Sequence, residues 1–452
     1  MAVNSILQRF MEQSPIPVMV RILLERVLSA DKLDLLFSRS TQKQYCRDLL
    51  FSSLFDLMGL VVTKTFPSIN AAYVSQNVDI GVSIASVYNK LNSLELSVSE
   101  ALVQDTAIDM ASIIDDVGGR CKPLLPGHRI KMIDGNCIEG TEHRLAVLRD
   151  KSSGALPGKA LVVYEPELEL IRHIFPCEDG HAQERSLLND VLKTVEDDDV
   201  FVADRNFCVR TFMQGIHDKG GYFIIRHHAQ VPYEECTELK YVGDSDTGKL
   251  FEQWVSIEGK DGVKLKCRRV VVKLKSKTRN GDKELALLTT LPKKGALADI
   301  IASLYRKRWS IETMFQQLES YLNSEINALG YPKAALFGFS MAIVAFNIMS
   351  VVKASLRRVH GEDKIQKEVS GYYIAGEISR THEGMVIAVT QNEWEIFHKM
   401  TDKEFASSLI DLAGNVVLGK YKKSKRGPKK PSPAKKSGPR ESHVSTYKLL
   451  KK

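Results

Sequence analysis

Three carboxylates that lie far apart in the chain could form one metal-dependent centre. Asp134 and Asp204 each follow a hydrophobic run of strand-like composition, and Glu312 lies in a segment with helical periodicity. Singly, each Asp would be read as a turn former and Glu312 as a solvated helix residue. Together they would repel one another unless a cation neutralised them. Oxygen ligands without His or Cys select Mg²⁺, with Mn²⁺ as a substitute. Two such ions could drive displacement at a phosphodiester.

The segment that carries Glu312 also offers groups for binding a phosphate. Tyr305, Arg308, Glu312 and Glu319 fall in one wedge about 60° wide on a helix, beside an apolar face. The Arg308 guanidinium suits a phosphate oxygen because it can donate two parallel hydrogen bonds. Tyr305 could position a DNA strand by its hydroxyl or by stacking, or it could simply pack in the core. We predict one long helix over residues 296–323.

The hydrophobic runs before Asp134 and Asp204 predict strands of a mixed α/β sheet. We expect the first strand to end at Asp134 and the strand at 200–203 to end at Asp204, with carboxylates at the strand ends. Residues 229–292 differ, because alternating apolar runs joined by polar turns predict a β-rich insertion. The remaining strands are predicted at 160–164, 171–175, 220–226, 250–257, 265–274 and 284–290, with a helical stretch at 182–194.

The first 120 residues are predicted to be mostly helical, with helices at 43–62 and 99–114. Residues 83–95 resemble the second helix of a helix-turn-helix, in which Lys90 would contact DNA. An ordinary core helix fits them equally well, because Lys90 is their only basic residue. The uncharged stretch 334–352 approaches membrane-spanning length. Its polar residues, such as Asn347, favour a buried core helix.

Composition excludes several classes of protein. The 452 residues are 44% hydrophobic and 26% charged, which is ordinary for a soluble globular chain of two or three domains. The seven cysteines contain no CxxC pair, which argues against a zinc site or disulfide framework and favours a reducing cytosol. The N-terminus lacks the pattern of a signal peptide. We therefore expect a cytoplasmic protein.

Positive charge is concentrated at the C-terminus. Residues 420–452 carry 13 of the 63 Lys and Arg residues but only one of the 55 Asp and Glu residues. This Pro-, Gly- and Ser-containing tail predicts a largely disordered arm that orders on a polyanion, although a merely solubilising tail is the alternative. The candidate DNA contacts in it are Lys422, Lys423, Lys425, Arg426, Lys429 and Lys430.

These motifs together resemble the bacterial DDE transposases of the insertion-sequence-four family. Tyr305, Arg308 and Glu312 match the family's Tyr-x2-Arg-x3-Glu-x6-Lys signature, and IDGN at 133–136 and ADRN at 203–206 resemble its two Asp motifs. The resemblance implies a ribonuclease H-like catalytic core with a β-rich insertion. It also implies double-stranded DNA partners (terminal inverted repeats and a target), nicking followed by joining of the 3′-hydroxyl, a homodimer on DNA, and a prokaryotic, nucleoid-associated protein.

Two positions depart from the family pattern. The signature Lys, which would contact a DNA phosphate, is replaced by Glu319. Either Glu319 points away, another cation compensates, or this copy is impaired. In hairpin-forming relatives a Trp precedes the LLT segment and takes the place of a flipped base. That position is Leu285 here, and Trp254 lies on a different predicted strand.

The sequence thus predicts an Mg²⁺-dependent DDE transposase in which Asp134, Asp204 and Glu312 bind two ions. One rival is a catalytically impaired or domesticated DNA-binding protein derived from a transposase. The other is a nuclease on the same fold that performs no strand transfer. The predicted regions are a helical DNA-end-binding domain at 1–124, a ribonuclease H-like catalytic domain at 125–228 and 293–418, the β-rich insertion at 229–292, and the basic tail at 419–452.

Overall fold

The computed structural model describes most of the chain. The described residues are 4–43, 48–139, 145–150, 153–259, 262–278, 281–424, 427 and 443–451, with only the backbone described at 77–79. Six of the seven cysteines lie in these ranges and all six are free, whereas Cys46 lies outside them.

The described residues of the N-terminal region form seven helices, and the sequence predicted this region to be mostly helical. Local capping explains several boundaries: the Asn4 side chain accepts a hydrogen bond from the Ile6 amide at the first helix, and Gly118 ends the seventh in a left-handed conformation. The helix predicted from residue 43 begins only at Phe51. The helices are α1 (Ser5–Gln13), α2 (Pro15–Val27), α3 (Ala30–Ser40), α4 (Phe51–Val62), α5 (Ile69–Ile80), α6 (Ile84–Ser93) and α7 (Leu96–Val117).

Ten strands in the described part of residues 129–289 form one central sheet. Its order is β4-β3-β1-β5-β6-β11-β10-β9-β7, and β8 also pairs with β9. The insertion strands therefore extend the sheet that carries Asp134. The strands are β1 (Arg129–Ile138), β2 (Ala155–Leu156), β3 (Gly158–Glu165), β4 (Leu170–Cys177), β5 (Asp199–Ala203), β6 (Tyr222–Arg226), β7 (Glu234–Glu235), β8 (Lys240–Ser245), β9 (Gly248–Glu258), β10 (Lys264–Leu274) and β11 (Glu284–Thr289).

One predicted strand end was wrong. Strand β1 does not end at Asp134 but continues to Ile138, because its antiparallel partner β3 pairs with it from Met132 to Ile138. Strand β5 does end at Ala203, directly before Asp204. Asp134 therefore lies within a strand and is held on one side by β3, whereas Asp204 lies just beyond a strand.

The predicted helix over 296–323 is two helices. The helical hydrogen-bond pattern is interrupted at Arg308, although the backbone of that residue remains in the right-handed helical region. The helices of the remaining chain are α8 (Leu188–Lys193), α9 (Arg210–Asp218), α10 (Ala298–Lys307), α11 (Trp309–Tyr321), α12 (Pro332–His360), α13 (Glu362–Glu368), α14 (Gly371–Ala388), α15 (Gln391–His398), α16 (Asp402–Gly414) and α17 (Thr446–Leu450).

Helix α12 is the central core element. Among the described residues it is the one helix long and apolar enough to cross a membrane, and 94% of its apolar window is buried inside the protein. Its polar residues satisfy the edge strand β4: the Asn347 amide donates to the carbonyl of Ile171 and accepts from its N–H, both at 2.9 Å. This pairing explains why a buried helix carries an Asn. The prediction of a core helix is confirmed.

Part of the C-terminal tail is ordered. Residues Val444–Ser445 form strand β12, which pairs in parallel with β2, and α17 follows it. The Ser445 hydroxyl donates to Asp179 at 2.7 Å, and the Lys448 ammonium lies 3.2 Å from the same carboxylate. Residues 444–445 therefore pair with chain almost 300 residues upstream, whereas disorder over most of the tail stays a prediction.

Candidate active site

Strand register brings the two predicted aspartates side by side. Strands β1 and β5 are parallel, with Met132 opposite Val202. Asp134 and Asp204 each come two residues later, so both reach the same level on the same face of adjacent strands, which lie about 5 Å apart. Strand β6 continues the register, because Ala203 pairs with Ile225. Arg226 therefore lies at the level of Asp204.

Arg308 joins two of the three carboxylates. Its Nη1 donates to Asp134 Oδ2 at 3.1 Å, and its Nη2 donates to Glu312 Oε1 at 2.9 Å. Only 8% of Arg308 is exposed, whereas about a third of the Glu312 side chain is. The guanidinium thus bridges β1 and α11 at the point where α10 and α11 meet.

A pocket of about 230 Å³ opens beside this bridge. Tyr305 is nearly buried, with its ring 5.9 Å from the guanidinium carbon of Arg308, and Trp309 is 62% exposed. Aromatic, cationic and anionic groups therefore face one small space. The lining residues are Asp204, Arg205, Arg226, Tyr305, Arg308, Trp309 and Glu312.

Negative charge at the site exceeds what Arg308 can neutralise. Burial raises the pKa of Asp134 to about 7; Arg308 and the Gly135 amide oppose this rise, while Asp204 and Glu184 add to it. Burial also raises the pKa of Glu184, and the charge of Asp204 adds to the rise. Asp134, Asp204 and Glu184 thus lie within one another's electrostatic reach.

Glu184 is a site neighbour that the sequence did not reveal. A Cβ on Gly135 would lie 2.4 Å from Glu184 Oε1, so the absence of a side chain next to Asp134 leaves room for this carboxylate. Glu184 has no hydrogen bond or ion pair with any described residue. It lies in the connection between β4 and α8, where nothing local marks it as part of a site. The sequence could have indicated Arg226 as a site residue, since it ends β6, the strand next to β5.

The donor set fits a hard divalent cation in its chemistry, because it consists of carboxylate oxygens. In the part of the chain that the structure describes, however, no three His, Cys, Asp or Glu side chains converge closely enough to hold a metal ion. The guanidinium of Arg308 lies between Asp134 and Glu312 and supplies the counter-charge for both. Asp134, Asp204 and Glu312 therefore lie in one site, but their carboxylates are too far apart to hold one metal ion together.

The other predicted DNA contacts lie elsewhere. The Lys90 ammonium lies 4.3 Å from the centre of the Phe37 ring, among the N-terminal helices. Lys422 forms an isolated β-bridge with Val369, and the Lys423 amide donates to Glu368 O at 2.6 Å, so both lie against the end of α13. Lys425, Arg426, Lys429 and Lys430 lie outside the described residues.

The two tryptophan-related positions also lie away from the pocket. Leu285 and Trp254 occur on β11 and β9, where they pair with opposite edges of β10, and neither lines the pocket.

Comparisons with known proteins point to one class. Residues 126–347 match the family model described as a transposase DDE domain. A protein of Sinorhizobium fredii named "Putative transposase y4zB" is 23% identical over 219 residues, which are 46% of this chain and 59% of that protein. The chain therefore spans about three fifths of that relative's length. Both comparisons make this chain similar to transposases over part of its length.

Proposed function

We propose that this protein is a transposase that cuts DNA at the inverted-repeat ends of a mobile element and joins the freed 3′-hydroxyl to target DNA. The observation that carries this proposal is the common level of Asp134 and Asp204 on adjacent parallel strands, with Glu312 joined to Asp134 through Arg308. Asp204 and Glu312 line a pocket beside the nearly buried Arg308, to which Asp134 is hydrogen-bonded. A purely structural ion pair would not need this pocket.

Each residue has a proposed role. Asp134, Asp204 and Glu312 would hold two Mg²⁺ ions, whose chemistry is to activate an attacking oxygen and stabilise a leaving one. Arg308 would exchange its bonds to carboxylates for bonds to a phosphate next to the cut, because a guanidinium binds either anion with two hydrogen bonds. Tyr305 would orient the same strand from the pocket wall. Binding of DNA would thus free Asp134 and Glu312.

The finer assignments are also proposals. They comprise membership of the insertion-sequence-four family, a ribonuclease H-like core and the predicted domain boundaries. The mixed sheet with antiparallel β4-β3-β1 and parallel β1-β5-β6 is compatible with that core. A homodimer on paired DNA ends and a cytoplasmic, nucleoid-associated location follow from the same proposal. The basic tail would add general DNA affinity.

Cleavage of end DNA tests the proposal. The DNA that flanks the coding sequence is expected to contain short inverted repeats, and a labelled duplex of those ends should be cut with Mg²⁺ or Mn²⁺ and joined to a second duplex. Glu312→Ala should abolish cutting and leave binding of the same duplex unchanged. Asp299→Asn, at an exposed carboxylate on the far end of α10, is the matched control and should cut normally. Normal cutting by Glu312→Ala would refute the assignment.

A second candidate is a DNA-binding protein that has lost catalysis. The exposed Glu319 favours it, because a carboxylate near a phosphate is repelled. If this candidate holds, the natural chain binds the ends without cutting them, and Glu319→Lys brings a large gain in cleavage. A nuclease without strand transfer would instead cut the ends and leave the 3′-hydroxyl unjoined.

A further inference from the structure

The face of α11 that carries Glu312 continues to Glu319. The two residues are seven positions apart, which returns the helix to nearly the same direction about 10 Å further along. Duplex DNA carries one phosphate per about 1.7 Å of its axis, so a duplex that is cut beside Glu312 and lies along α11 would also bring phosphates close to Glu319. An exposed carboxylate there requires a nearby cation if DNA is to approach.

Lys64 brings a cation to this place from the N-terminal helical region. It follows the end of α4, and its ammonium donates to the carbonyl oxygens of Ser320 at 3.1 Å and Glu319 at 3.4 Å. The Asn323 amide donates to Val62 O at 2.8 Å, so the ends of α4 and α11 are tied together by backbone as well. The position of Lys64 beside Glu319 is therefore fixed by two elements.

The ammonium of Lys64 retains capacity for a ligand. It has three N–H donors, and two of them are directed at the carbonyls of α11. The residue is exposed, so the third donor faces solvent. Partial burial lowers the pKa of Lys64, and the charge of Glu319 opposes this by favouring the protonated form. Glu319 thus helps to maintain a positive charge at this end of α11.

The backbone does not explain why a lysine occupies this position. Lys64 has φ of 62°, in the left-handed region that is uncommon for residues other than Gly, Asn and Asp. Gly would end α4 there with less strain. A lysine side chain at a strained backbone position is an observation from which a use for that side chain can be inferred.

We infer that Lys64 contacts a DNA phosphate beside α11 and supplies the cation that Glu319 does not. The inference rests on the proposed function, because it assumes a DNA duplex lying along the Glu312 face. The turn after α4 would then bind directly to the DNA that is cut. The carbonyl bonds orient the ammonium, and the negative end of the α11 dipole helps to hold it.

The salt dependence of DNA binding tests this contact. Each phosphate contact contributes about 0.9 to the slope of log affinity against log salt concentration. Lys64→Gln keeps a donor for the carbonyls but removes the charge, so the slope of binding to the end duplex should become shallower by about 0.9. Lys64→Arg should keep the wild-type slope. Lys219→Gln, at another exposed lysine that caps a helix C-terminus, is the control and should change nothing.

A rescue experiment separates the DNA contact from a purely structural role. In the Lys64→Gln background, Glu319→Lys should restore the lost slope and the affinity, because it returns a cation to the same place. If Lys64→Gln lowers the urea midpoint of unfolding but leaves the slope unchanged, Lys64 only caps α11 and the inference is overturned. If the wild-type protein neither binds nor cuts the end duplex, the proposed function fails instead. Normal wild-type cutting with an unchanged Lys64→Gln slope overturns this inference alone.

Discussion

Two ion triads in this protein have opposite charge. In the Glu169 triad, one carboxylate is bonded by two cations, Lys353 and Arg357. In the Arg308 triad, one guanidinium is bonded by two carboxylates, Asp134 and Glu312. Both centres are largely shielded from water, so burial alone does not distinguish them.

The surroundings of the triads differ. Arg357 also donates to Gly119 O at 2.8 Å, so the Glu169 triad ties the β3–β4 turn to α12 and to the chain after α7. The triad carries one more cation than carboxylates, and Arg357 Nη2 is buried without a hydrogen-bond partner among the described residues. The Arg308 triad has Asp204 and Glu184 beside it and faces a pocket. The contrast teaches that an adjoining pocket lined by further charged groups, rather than a buried ion pair as such, is the useful sign of a binding site.

Removing the central residue of each triad should have unequal effects on stability. Glu169→Gln leaves Arg357, which is 4% exposed, buried with one carbonyl partner, and should cost about 3–5 kcal/mol. Arg308→Gln should cost only about 1 kcal/mol, because Asp134 can remain protonated and Glu312 can be hydrated. Urea unfolding of both variants with an unchanged denaturant dependence measures the difference. Equal losses would mean that the Arg308 triad is structural.

The triads should also respond to pH in opposite directions. The pKa of Asp134 is raised to about 7 in the folded protein against 3.8 in the reference state, chiefly by burial. Between these values the folded state binds the extra proton, so this residue makes the free energy of unfolding fall as pH rises. Asp134→Asn should remove the fall and stabilise the protein at pH 8, by at most about 4 kcal/mol for three pKa units.

Glu169 is the control for that experiment. Burial raises its pKa, but Lys353 and Arg357 outweigh burial, and the pKa is lowered from 4.5. The triad therefore contributes stability above about pH 4.5 that is lost in acid, and Glu169→Gln should differ most from wild type at neutral pH. Unfolding by urea from about pH 2.5 to 8 in metal-free buffer reports both residues, because the Glu169 contribution is lost below pH 4.5. Parallel pH profiles for the two variants would contradict the comparison.

The sequence predicted only part of the difference between the triads. Asp204 could be placed because a short buried strand ends before it. The apolar run before Asp134 was recognised, but its continuation to Ile138 depends on pairing with β3, which no local pattern encodes. The interruption at Arg308 was missed, because helical periodicity continues through it while its side chain bonds to a distant strand. Family membership and metal binding by these residues stay predictions.

Contacts between distant segments explain most of what the sequence did not predict. Strand β12 is a two-residue strand whose pairing with β2 has no periodicity to reveal it. The Lys90 ammonium lies over the Phe37 ring of α3, which helical periodicity does not reveal, and its contact with DNA stays a prediction. Glu184 reaches the site from a loop. In each case the partner was chosen by tertiary packing, which outweighs local propensity.

A smaller effect than removal of Glu169 comes from adding a divalent cation. Mg²⁺ at a hundred times its dissociation constant should stabilise the wild-type protein by about 2.7 kcal/mol. Glu169→Gln should gain the same stability, because its altered triad lies elsewhere. Asp134→Asn should lose this gain. Arg308→Gln should reach it at lower Mg²⁺ concentration, because the guanidinium no longer competes for Asp134 and Glu312. Unfolding in urea at increasing Mg²⁺ measures all four proteins without DNA. A wild-type protein that gains nothing would show that the surplus carboxylates serve some purpose other than metal binding.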